Sequence, residues 1–196
     1  MFKKAGIALA LMALVAIWAV TSYAQEAKEA KATKEAYSYI GMKKCSMCHK
    51  KDATGNQLAV WSASAHAKAF EVLSSEAGLA KAKELKVADP CKDAACLKCH
   101  TTGHGTPAAL GGDALLPADG VSCEACHGPG SGYNKMKTMQ DIHAGTLDGT
   151  TVGLHKVDES TCLGCHKKDN PGHKGTFDYA TAIKKIAHPI PAPTKG

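Results

Sequence analysis

Between residues 57 and 73 the apolar positions fall on one arc when the chain is wound at about 100° per residue. The arc holds Leu58, Trp61, Ala65, Ala69, Phe70, Val72 and Leu73, with Lys68 and Glu71 off it. The pattern predicts an amphipathic helix over 57–73, entered through the turn Thr54-Gly55-Asn56-Gln57, with His66 inside the apolar arc. A second helix, rich in Ala and Lys, is predicted over 76–86 and ends before Asp89-Pro90. Glycine and proline make 101–120 a loop. Shorter helices are predicted over 135–144 and 177–187, the last stopped by Pro189. No run alternates as a strand would, so the fold class is mainly α with extensive loops.

The ends differ from this middle. Lys3 and Lys4 precede an uncharged stretch over 5–20, and Ser22 and Ala24 supply small residues at a cleavage position, so 1–24 reads as a secretory signal peptide cut after Ala24. A retained membrane anchor is the other reading, because the stretch approaches the lower length for a spanning helix. Residues 25–36, QEAKEAKATKEA, form a charged linker without a large apolar side chain. The domain is then 37–196, with an extended Pro-rich tail at HPIPAPTKG.

Candidate chemistry is concentrated in one pattern. Cys-x-x-Cys-His occurs as Cys45/Cys48/His49, Cys96/Cys99/His100, Cys123/Cys126/His127 and Cys162/Cys165/His166, taking eight of the nine cysteines. A zinc ribbon needs two cysteine pairs per ion and has no use for a histidine after each one. Covalent haem needs both: the two thiols add to the vinyl groups and the adjacent histidine supplies the proximal iron ligand. The four motifs therefore predict four c-type haems, with His49, His100, His127 and His166 as proximal ligands. Attachment of such haems outside the cytoplasm agrees with the signal and predicts a periplasmic protein, with the extracellular surface as the further option. Cys91 stands outside every motif, as a free thiol or an intermolecular bridge.

Haem changes how composition and charge are read. Aromatic residues are only 5 % of the chain while Gly and Pro number 19 and 8, so the macrocycles must supply most of the core and the apoprotein should be largely unfolded. The formal charge of +6 loses Lys3 and Lys4 with the signal and is offset by haem propionates, which removes the case for a nucleic-acid partner. Lys43, Lys44, Lys50, Lys51, Lys98, Lys167 and Lys168 flank the motifs. They form either a docking field for acidic redox proteins, donor and acceptor, or an ordinary solvated surface. A membrane is reached only through such a partner or an uncleaved signal.

Six further histidines compete for the distal iron faces. His66 leads, because it lies on an apolar helical face beside the small residues Ser62, Ala65 and Ala69. His188, at the end of the last predicted helix, is next. Its other reading is a histidine meeting the helix dipole. His143 and His155 stand level. His104 and His173 suit solvent or propionate contacts, and no methionine is well placed.

The stretches GMKKCSMCHK, WSASAHAKAFEVL, CLKCHTTGHG, GVSCEACHGPGSGY and IKKIAHP resemble, in this order, the tetrahaem cytochrome c-554 family. The resemblance implies a small, mainly α multihaem cytochrome c fold organised around four covalently bound haems stacked in pairs. It further implies His66 and His188 as distal ligands with His143 following, and a second haem, on Cys96, Cys99 and His100, without a distal protein ligand. The sequence departs from the family in extra residues between His49 and Trp61, in the loops after His127 and His166, and in His104 where an aromatic is familiar. The expected function is electron carriage between redox partners, with no general base or substrate pocket in the sequence. Two other functions stay open: reduction of nitric oxide or hydroxylamine at a five-coordinate haem, and a subunit of an extracellular haem filament. Intact mass of the mature protein should exceed the chain from Gln25 by four haem masses. A deficit of one haem, or zinc in place of iron, contradicts the count.

Overall fold

A computed structural model describes residues 37–170 and 176–192. The predicted signal peptide, the charged linker and His173 lie outside the described residues. Residues 1–37 and 38–196 separate as two units, and the second carries all four motifs.

Eight α-helices occur among the described residues: α1 (Met42–His49), α2 (Gln57–Ser62), α3 (Glu76–Glu84), α4 (Ala94–His100), α5 (Cys123–His127), α6 (Met136–His143), α7 (Glu159–Leu163) and α8 (Tyr179–Ile186). No strand is found among those residues. Short 3-10 turns at Ala108–Leu110, Gly112–Ala114 and Pro117–Asp119 shape the predicted 101–120 loop. Several of the helices start where a side chain can take an orphan N–H. Ser75 Oγ accepts from Gly78 N (3.1 Å) at α3, Asp93 from Ala95 N (2.8 Å) at α4, and Asp178 from Thr181 N (2.8 Å) at α8. Asp158 and Thr161 form a reciprocal capping box at α7. The start of α1 is different: Gly41, at φ 80°, caps without a side chain, and a Cβ there would stand 2.3 Å from Ala114 O. Glycine is what lets the 112–114 turn close on α1.

The predicted helix over 57–73 is not continuous. It ends at Ser62, passes through turns, and resumes as the 3-10 segment Glu71–Ser74. The reason lies in bonds from elsewhere in the chain. Val121 N donates to His66 O (3.0 Å), and Trp61 Nε1 donates to Val121 O (2.8 Å), so the 120–121 segment takes a carbonyl that an α-helical ladder would occupy. Ser64 Oγ also competes, bonding Trp61 O at 2.7 Å. The last helix stops at Ile186, so His188 lies two residues beyond it in extended chain.

Apolar side chains supply little core. Among the described residues those fully buried are Leu73, Ala82, Leu97 and Tyr133, and the least exposed side chain is a carboxylate, Glu124, at 2 %. Polar bonds hold the neighbouring loops instead. Thr102 Oγ1 donates to Gly120 O (3.0 Å) and accepts from Ser122 N (2.7 Å), tying the chain after α4 to the chain before α5. Thr102→Val would leave a buried N–H and carbonyl without partners, and should lower unfolding stability of the holoprotein by about 1–3 kcal/mol in a denaturant titration.

Candidate haem-binding sites

Helix positions i, i+3 and i+4 face the same way. Cys45, Cys48 and His49 therefore share one face of α1, Cys96, Cys99 and His100 one face of α4, and Cys123, Cys126 and His127 one face of α5. The fourth set begins on α7 and continues the turn past it, with His166 N donating to Cys162 O at 2.9 Å. Among the described residues no group of three or more His, Cys, Asp or Glu could hold a bare metal ion between them. Burial acts on several of the thiols. It raises Cys96, Cys126 and Cys162, and pushes Cys165 up to about 11 with help from Cys99. Cys45 is raised chiefly by its hydrogen bond with Cys123, which is itself lowered by that bond.

Two of the motif imidazoles have a fixed tautomer. His49 Nδ1 lies 3.0 Å from Gln57 Oε1, and His100 Nδ1 lies 2.5 Å from Ala69 O. Both partners only accept, so each Nδ1 carries the proton and each Nε2 keeps its lone pair for a metal. The break after Ser62 is what brings Ala69 O to α4. His166 is fixed by stacking, with Phe177 at 4.8 Å between centroids and 18° between planes. Nothing in the sequence marked Gln57, Ala69 or Phe177 for these roles. Gln57 was legible only as a helix start.

His127 sits in a group of imidazoles. Burial, then the charges of His188, His49 and His155, lower it to about 4, and burial also lowers His66 and His188. Such imidazoles are neutral near pH 7, the form that binds metal. The His127 and His188 centroids are 5.8 Å apart, and those of His66 and His166 are 6.1 Å apart. A metal–imidazole bond of about 2.0 Å, with the ring centre about 1.1 Å further on, places two imidazoles opposed across one metal about 6 Å apart. Both pairs have that spacing. His188 Nδ1 is buried with no hydrogen-bond partner. Haem thus fits these residues on its thiol pairs, its free nitrogens and its opposed rings.

The remaining candidates are dispersed. His155 N donates to His127 O (2.9 Å), and its ring lies so close over Gly128 that a Cβ there would stand 2.7 Å from it. His143 is exposed at the end of α6, and His104 is exposed in the loop after α4. Among the described residues no imidazole is paired with His100 as His66 is with His166. Two pairs of sets lie close to one another. Glu124 of the third motif accepts from Gly41 N at the start of the first motif's helix (2.8 Å), and the fourth set meets the second around Cys165 and Cys99. Asn170 Nδ2 reinforces the last contact, donating to Cys165 O (2.7 Å) and Cys99 Sγ (3.9 Å).

Residues 44–128 match the family model described as cytochrome c554 and c-prime. A curated relative, cytochrome c-554 of Nitrosomonas europaea, is 39 % identical over 98 residues. Over this stretch the chain is similar to the cytochrome c554 family. The alignment with that relative spans 47 % of this chain and 39 % of the relative's length. The fold agrees over more of the molecule: reduced cytochrome c554 from Nitrosomonas europaea superposes with a TM-score of 0.55 and 26 % identity, across 76 % of this chain and 83 % of that one. The similarity supports covalent c-type haem as the cofactor, and the structural match bears out the mainly α cytochrome fold read from the sequence. Gln57→Leu should strip His49 Nδ1 of its acceptor, make the imidazole a weaker donor to ferric iron, and raise one potential. A net hydrogen bond of about 1 kcal/mol corresponds to a shift on the order of 40 mV for one electron, readable by spectroelectrochemistry.

Proposed function

We propose that this cytochrome c554 homologue is an exported tetrahaem electron carrier, and the observation that carries the proposal is the fourfold Cys-x-x-Cys-His set in one small chain, with two of the set histidines facing a second imidazole at 5.8 and 6.1 Å. Haem when bound supplies one-electron iron chemistry at each set. Tunnelling falls steeply with distance, so four sets within one small chain favour an internal relay. In this reading the eight motif cysteines hold the porphyrins and His49, His100, His127 and His166 are proximal ligands. His66 serves opposite His166 and His188 opposite His127, on the strength of the two ring separations. His143 and His155 are the candidates opposite His49. Lys43, Lys44, Lys50, Lys51, Lys98, Lys167 and Lys168 are all exposed, and the ion pairs found among the described residues use none of them, which suits docking of acidic donors and acceptors. Residues 1–24 would direct the chain to the periplasm.

One observation favours a second reading, reduction of a small nitrogen compound at the second haem. In the loop that follows His100 a cavity of about 110 Å³ is lined by Thr101, Thr102, His104, Thr106 and Leu115 among others, room for a diatomic ligand. Electron paramagnetic resonance of the ferric protein separates the two. Three low-spin signals and one high-spin signal, with one haem binding carbon monoxide on reduction, are expected for an open second site. Four low-spin signals and no carbon monoxide shift leave the carrier reading and end the reductase one.

A further inference from the structure

Glu124 attaches nothing and ligates nothing, yet it is the least exposed side chain described. It is the second residue of the third motif, on α5. Its carboxylate accepts from Gly130 N (2.7 Å), from Gly41 N (2.8 Å) and from Ile40 N (3.0 Å to one oxygen, 3.3 Å to the other). Gly41 is the N-cap of α1, so a side chain of the third motif holds the cap residue of the helix that carries the first. A neutral hydroxyl or amide suffices for most caps, whereas a buried carboxylate loses several kcal/mol of hydration that its partners must offset. The carboxylate lies beside both sites, being carried on α5 and bonded to the chain that enters α1.

We propose that Glu124 is a fixed anion shared by the first and third haems, a tuning residue that holds both potentials down together. The inference rests on the tetrahaem reading. A negative charge in a poorly screened interior favours ferric over ferrous iron. Placed between two sites, it moves both the same way.

The test is spectroelectrochemistry of the holoproteins, after intact mass has established four haems. Fewer than four haems in the wild-type protein contradicts the tetrahaem reading itself, whereas four haems with an unsupportive titration contradicts only the role of Glu124. Glu124→Gln, which keeps the shape and removes the charge, should shift two of the four redox waves upward. Glu124→Asp, which keeps the charge and loosens the cap, should leave them nearly in place. No shift with Gln, an equal shift of all four waves, or a shift with Asp as large as with Gln overturns the proposal. Should Glu124→Gln fail to mature, wild-type protein labelled with 13C-glutamate decides. A solvent-protected carboxylate stretch should move as the two shared waves are reduced, and its absence in that interval overturns the proposal.

Discussion

The architecture depends on opposing two imidazoles across about 6 Å when they come from distant parts of the chain. His66 and His166 are far apart in sequence, as are His127 and His188, yet each pair meets at this spacing. A motif helix can present a proximal ring by local geometry alone. The opposing ring must be delivered by tertiary structure. In the tetrahaem reading that requirement accounts for a chain of short helices and bonded turns between motifs rather than long packed helices: its task is to aim a few side chains, and the cofactors supply the apolar surface that few leucines provide.

Interruption of the 57–73 helix shows how the aiming is done. Had the ladder continued, the carbonyls of His66 and Ala69 would have been spent within the helix. Released from it, the first holds Val121 and the second orients His100. One local irregularity thus positions a ring of the second motif and anchors the segment leading into the third.

The motifs, the mainly α class and the helices at 76–86, 135–144 and 177–187 were legible in the sequence, because they rest on local rules of spacing, capping and proline. The break after Ser62 was not, since the apolar arc reads the same whether the backbone follows α or tighter turns, and Val121 is remote in sequence. His66 and His188 were legible as candidates, but their partners were not, because ring pairing is set by tertiary distance. Glu124 was invisible as a buried anion: a glutamate between two cysteines reads as a solvated side chain until Gly41 and Gly130 are placed against it.

Gln57 joins two sites through one amide. Its oxygen faces His49 Nδ1, while its nitrogen donates to Pro189 O at 2.9 Å, one residue beyond His188. The group works as a mechanical linkage. Rotation of the His49 ring pulls on the segment that carries His188, so the two imidazoles cannot be reoriented independently, and the C-terminal segment is held in register with the first motif by a side chain that belongs to neither.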